Sequence, residues 1–445
     1  MDRNTTLSRR QVLAGGAAVT AAVTIVPRHV LGGPGQKPPS EKLNIAGIGL
    51  NGMGAGDIAN CAGENIVALC DVDQNVLDRE ARKYPKAKLH RDFRKMLETQ
   101  KDIDAVMVAT PDHLHAVVSI TAMRLGKHVF CQKPLTHSVY EARLMAKVAK
   151  ETKVATQMGN QGQASEEHRL MAELIWAGAV GTVREIHAGS NRRPWISPRG
   201  IPRPKDTPPV PSTLDWDLWV GPAPMRPYHP CYHPFAWRGW WDFGTGVLGD
   251  IGCHELSPVF KALKLGHPAW VEACSSNHQM PPEVYNETAP VSSIVRWYFP
   301  AEGDRAAVTV TWWDGGMKPP RPEELEPDRQ FAEGDWLLIV GDKGKMLHHR
   351  LIPDKRAREF GKPPRVLPRS PGHYVEWINA CKGGPPAGSN FVDHAAHLAE
   401  VVLLGNIAIR TGEKLYWDAD NLRFTNSEKA NALINPPYRS GWSLA

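Results

Sequence analysis

Short apolar runs separated by helical stretches set the character of the first 160 residues. Leu43–Gly49 (LNIAGIG) reads as a buried strand, followed by a helix from about Ala55. Ile66–Cys70, Ile103–Ala109 and His128–Cys131 are runs of the same kind, with a helix over about residues 114–125, and Met158–Gly162 reads as the end of a last strand. Continuous apolar runs linked through helices predict a parallel sheet covered on both faces. Residues 165–177 have helical spacing, with Leu170, Leu174 and Trp176 as packing positions. After a Pro-rich stretch over 191–235 the pattern changes to strands at Val271–Ser276, Ser292–Phe299, Ala306–Trp313 and Asp335–Val340, with a hairpin turn at Gly341–Lys345. These predict a mostly antiparallel sheet. Residues 372–383 and 391–411 are predicted amphipathic helices, and 318–330 and 352–370 surface loops. The expected fold class is α/β, with a parallel-sheet domain over 41–160 and an α+β domain with a large, mostly antiparallel sheet over 161–445.

The link after the first strand is rich in Gly. Two registers fit, Gly47-x-Gly49-x-x-Gly52 and Gly49-x-Asn51-x-x-Gly54; the second better suits the strand length. A strand, a Gly-rich turn and a helix N-terminus together make a pyrophosphate cradle. The next strand ends at Asp71, about twenty residues on, where a carboxylate would accept the ribose hydroxyls of a dinucleotide. Together they predict a Rossmann domain. Asp71 would repel a 2′-phosphate, and no Arg or Lys follows it before Arg79, so NAD is expected over NADP. Lys133, at another strand's carboxyl end, would face the same crevice. Farther on, Asp250 and His254 stand four residues apart after a Gly-rich entry, so one helix face would carry both, as an acid/base pair requires.

These residues resemble the glucose-fructose oxidoreductase/inositol dehydrogenase/rhizopine-catabolism (Gfo/Idh/MocA) family over about residues 41–435. The resemblance rests on the Gly turn at 49–54; on Ala109-Thr110-Pro111 with His115; on Gly126–Val129 followed by Gln132-Lys133-Pro134; and on Asp250, Gly252 and His254. It implies hydride transfer between a nicotinamide and a hydroxyl or carbonyl of a sugar, sugar derivative or polyol. It implies Lys133, Asp250 and His254 as catalytic residues. Gly49, Asn51, Gly52, Met53, Gly54, Asp71, Thr110, Pro111, His115, Gln132 and Lys133 would bind cofactor, and Asn160 and Trp241 substrate. Gln132 departs from the family's Glu, Asn51 from a Gly, and Ser257 from an Asp. Some relatives use bound NAD for glycoside hydrolysis by transient oxidation and elimination, which is the alternative reading. A non-catalytic sugar-binding protein is a third.

Charge and composition narrow this further. The net charge is +6, but residues 1–40 hold five Lys/Arg and one Asp, so most of it lies there. Without a basic run elsewhere, no nucleic-acid partner is expected. Ser8-Arg9-Arg10-Gln11-Val12-Leu13 and the mild apolar run to Val26 read as a twin-arginine signal, too short and weak for a stable membrane span. The twin-arginine export machinery is therefore an expected partner and the periplasm the expected compartment. A tightly bound cofactor would suit export, since nicotinamide is scarce outside the cytoplasm. The seven Cys form no CxxC pair and read as buried free thiols. Trp195, Trp216, Trp219, Tyr228, Trp237, Trp240 and Trp241 cluster in sequence and could stack on sugars or simply pack. His229 and His233 are separated by Pro230, so no metal is expected. The open face of the C-terminal sheet is expected to be covered by a second copy, giving a homo-oligomer.

Overall fold

Six strands made from the first apolar runs form one sheet: β1 (Asn44–Ile48), β2 (Asn65–Cys70), β3 (Lys88–His90), β4 (Ala105–Val108), β5 (His128–Cys131) and β6 (Thr156–Met158). The computed structural model describes residues 41–191, 198–331 and 333–444. Expectations for the twin-arginine segment and Trp195 lie outside them. The six strands are ordered β3-β2-β1-β4-β5-β6 and every pairing is parallel. β4 is buried at all four residues, as a strand covered on both faces must be. The strand order reverses between β1 and β4, which opens a crevice at their carboxyl ends. Of these strands, β3 (KLH) was too short and polar to read from sequence.

The second sheet has nine strands. They are β7 (Val183–Ser190), β8 (Trp270–Ser275), β9 (Ser293–Phe299), β10 (Val308–Asp314), β11 (Asp335–Gly341), β12 (Gly344–Leu347), β13 (Arg350–Ile352), β14 (Leu415–Asp418) and β15 (Arg423–Phe424). Their order is β13-β12-β11-β7-β10-β9-β8-β14-β15. The hairpin turn falls between β11 and β12 as predicted. Among the described pairings of this sheet only β7–β10 is parallel. β7 is central yet escapes the sequence pattern, because it ends in the small buried residues Ala188, Gly189 and Ser190 rather than large apolar ones. The packing demands that: a Cβ on Gly189 would lie 2.5 Å from the Trp336 ring.

Leu43–Ala445 packs as one compact unit. A π-helical turn (Phe391–Ala395), with Phe391, His394 and Ala395 buried, leads into the helix Ala396–Thr411, which packs on the helix Val139–Thr152 as well as on β8, β9 and the helix Gly246–Glu255. It was predicted amphipathic, but Leu398–Ile409 are all buried, because both sheets' layers use it as core. By length and composition Phe391–Thr411 could cross a membrane; 83% of its apolar window is buried inside the protein. Three smaller expectations also change. Trp176 is 46% exposed, its indole donating to the Ala262 carbonyl (2.7 Å). Asp354–Phe360, read as loop, is a helix with no buried residue. Cys274 is exposed rather than buried.

Candidate functional site

The glycine turn adopts the second register. Gly49 follows β1 with φ +78°, and a Cβ there would lie 2.7 Å from the Ala109 backbone. Gly54 lies inside the helix Met53–Asn60, where a Cβ would sit 1.9 Å from the Gly49 carbonyl oxygen. These are the tight-turn and helix-packing positions of a dinucleotide fingerprint, and Asn51 takes the middle position. The helix begins after Gly52 with no side-chain cap, and Gly52 and Met53 at its start line the crevice.

A cavity of about 300 Å³ follows that crevice. Gly49, Asn51, Gly52, Met53, Asp71, Thr110, Pro111, Gln132 and Lys133 all line it. Gly54 supports the turn from beneath. His115, expected to touch cofactor, does not line the cavity: its ring nitrogens face the carbonyls of Pro134 (2.7 Å) and Thr110 (2.8 Å). It ties the loops after β4 and β5 together, and burial lowers its pKa to about 4. At one end of the cavity Asp71 accepts the N–H groups of Leu50 (2.7 Å) and Asp73 (3.0 Å). Burial nevertheless raises its pKa to about 6. Arg79 reaches back to the Leu50 carbonyl (3.1 Å), but its charge is paired with Glu80 (2.8 Å).

At the other end lies a cluster of charges. Lys133 Nζ donates to the Asp250 carboxylate and to the Asp250 carbonyl (3.1 Å). Arg238 approaches the same carboxylate (3.6 Å) and, like Lys133, lines the cavity. His254 sits one helical turn beyond Asp250, half-buried. Asp112 completes the group: it is buried and accepts the Thr245 hydroxyl (2.7 Å). Burial raises its pKa to about 7; Arg238 and Lys133 oppose the shift and Asp250 adds to it. Sequence reasoning missed Asp112 and Arg238. Asp112 stands next to the Thr-Pro motif, and that adjacency was the one available signal.

The Gln132 departure has a local partner. Its amide donates to Asp57 (2.7 Å), which also accepts the Tyr374 hydroxyl (2.6 Å). A buried carboxylate thus stands beside the position from which the family's Glu is missing; burial raises its pKa. Asn160 is buried outside the cavity wall, donating to Ser257 (3.2 Å), which pairs with His394 (2.9 Å). Trp241 also departs from expectation. Its indole donates to the Tyr285 carbonyl (3.1 Å) and its ring lies 5.4 Å from the Arg410 guanidinium, lining a separate small cavity. Trp219 and Trp237 line the cofactor cavity instead, at the edge of an aromatic core with Trp216, Tyr232, Trp240 and Phe243. His229 faces Asp206 (3.4 Å), while His233 lines the cavity.

The residues suit a dinucleotide. The turn leaves no room for a Cβ at Gly49 or Gly54, and the cavity-lining Thr110 has a buried hydroxyl without a protein partner. Comparison with known proteins agrees. Residues 43–160 match the NAD-binding Rossmann model of the Gfo/Idh/MocA oxidoreductases, and residues 195–281 and 339–444 match that family's C-terminal α/β domain. A 1,5-anhydro-D-fructose reductase of Ensifer adhaerens is 37% identical over 162 residues, 36% of this chain and 37% of the relative. A levoglucosan dehydrogenase of Pseudarthrobacter phenanthrenivorans is 26% identical over 165 residues, 37% of this chain and 34% of the relative. The chain thus spans about a third of the length of these relatives. The WlbA dehydrogenase of Bordetella pertussis, solved with NADH and UDP-GlcNAcA, has the same fold at 17% identity and TM-score 0.59, covering 85% of this chain and all of that one. With both halves matched, the chain belongs to the Gfo/Idh/MocA oxidoreductase family and carries its NAD-binding Rossmann domain.

Proposed function

We propose that this protein transfers hydride between NAD and a hydroxyl or carbonyl carbon of a sugar, sugar derivative or polyol. The observation that carries the reading is the Lys133–Asp250 pair at the carboxyl end of β5, beside the dinucleotide crevice. Bound NAD would supply the hydride acceptor. The chain's residues do the rest. In the oxidation direction His254 takes the hydroxyl proton as hydride leaves the carbon, so a carbonyl forms and the proton stays on the imidazole. The Lys133 ammonium stabilises the negative charge that develops on the substrate oxygen. Asp250 fixes Lys133 in position, and Arg238 balances the same carboxylate. Trp219 and Trp237 wall the cleft and limit water there. The relatives' activities on anhydrofructose and levoglucosan favour a carbohydrate substrate.

Export through the twin-arginine route to the periplasm, a retained cofactor and a homo-oligomer joined through the nine-stranded sheet belong to this proposal. They rest on Arg9-Arg10 with the apolar run after it, and on the sheet face where alternate β9 residues, Ile294, Arg296 and Tyr298, are less buried than their neighbours. The test is mass spectrometry of nucleotide released from purified protein, then a sugar and polyol panel read by reduced nicotinamide. Reduced nicotinamide formed with a sugar or polyol is the expected result. Aglycone release with no net reduction would replace the proposal by redox-assisted glycoside hydrolysis.

A further inference from the structure

The wall of the cavity at its Asp71 end is completed by a residue from the opposite end of the chain. After the short helix Glu428–Asn431 the tail crosses the parallel-sheet half. Tyr438 donates to Glu141 on the helix Val139–Thr152. The Arg439 guanidinium then grips the short helix Trp216–Val220 and the residue after it, donating to the Asp217 carboxylate (2.6 Å), the Asp217 carbonyl (3.1 Å) and the Gly221 carbonyl (3.0 Å). Its own N–H donates to the Pro222 carbonyl (2.9 Å). A turn from Arg439 to Trp442 (3.1 Å) follows, and Arg124 donates to the Leu444 carbonyl. The tail is pinned on both sides of Trp442.

Trp442 lines the dinucleotide cavity together with Asp71, Val72, Phe93 and Leu218. Its ring lies 6.2 Å from Phe93, and the Arg94 guanidinium sits 4.5 Å from its centroid. Arg94 is in turn held by the Asp92 carboxylate (2.7 Å). The indole is therefore braced by the protein's own residues, at the end of the cavity where Asp71 places a ribose. The group attached to that ribose is a purine, and a flat aromatic ring offers it a stacking partner whatever its hydrogen-bonding edge. We infer that Trp442 is an adenine-binding residue, with Arg439 the positioning residue that clasps the tail over the cofactor. The inference rests on the NAD reading of the cleft. It predicts that release of the tail speeds cofactor loss.

The test uses the full chain, stripped of nucleotide. Affinity and dissociation rate are measured for NADH and for reduced nicotinamide mononucleotide, which has no adenosine. Trp442→Ala should weaken NADH about tenfold or more, the scale of stacking one base on one ring, with Trp442→Phe recovering most of it. Reduced mononucleotide should bind both variants as it binds the wild type. Arg439→Ala should speed NADH release in the same direction. Unchanged NADH affinity in Trp442→Ala, or an equal loss for both nucleotides, would overturn the inference while leaving the NAD reading standing. A wild type that binds neither nucleotide would overturn both.

Discussion

The two ends of the cofactor cleft are built on different principles. At the β2 end one carboxylate, Asp71, is held by two backbone N–H groups. At the β5 end Lys133, Arg238, Asp250 and Asp112 come from four separate segments, and side-chain charges largely hold one another. A backbone-held group keeps its position when a neighbour is replaced. A mutually held cluster does not, because removing one ion leaves its partner buried and uncompensated. The first arrangement suits recognition of an invariant cofactor. The second suits chemistry, where charge must appear and disappear.

The largest effect should come from the charged end. Lys133→Ala and His254→Ala should each lower turnover by about 10² or more while the fold survives, read on an identified substrate with circular dichroism as control. Full activity in either variant would remove that residue from the mechanism. Asp71→Ala should weaken NAD by about tenfold, the scale of a charge-assisted hydrogen bond, and narrow the gap to NADP. Titration of the apo-protein with both cofactors decides this, and tighter NADP binding by the wild type would sink the ribose assignment.

A smaller effect should appear in stability against pH. The Asp112 carboxyl titrates at about 7 in the fold against 3.8 ordinarily. Between those values the folded protein holds a proton that the unfolded chain has lost, so this contribution is present below 3.8 and lost as pH rises toward 7. His115 acts oppositely. Its value of about 4 against 6.5 means the unfolded chain binds the extra proton in that window, so its contribution is lost as pH falls. Asp112→Asn should remove only the first effect, flattening the fall in Tm between pH 5 and 7 by about a few degrees. Identical profiles would show that Asp112 ionises normally.

What the sequence revealed follows the same division. The parallel sheet was legible because its central strands β1, β2, β4 and β5 are largely apolar, and the glycine register because strand length selected it. Asp71 was legible from its distance to that turn. The charged end was legible where a strand end or one helix face carries the residues, as with Lys133 and with Asp250 and His254. Arg238 and Asp112 join the cluster through the path of a long loop, which no local spacing records. Trp241 lies away from the dinucleotide cavity for a related reason. Seven aromatic residues cluster along the chain, and only packing decides which of them face the cleft. β7 escaped notice because its inner face is shaped for the tryptophans laid against it.

The helix Phe391–Thr411 bears on how the cleft can open. It is buried on nearly every face, against the helix Val139–Thr152 on one side and β8 and β9 on the other. A hinge rotation separating the two sheets would strip that helix of contacts on one side and expose a row of Leu, Val and Ile to water, a cost that scales with apolar area. Interiors packed this way do not deform by degrees. Ligand entry and exit are therefore tasks for the rim, where the C-terminal tail with Trp442 borders the cleft. The two halves pack as a single frame, and that leaves the rim to admit the cofactor.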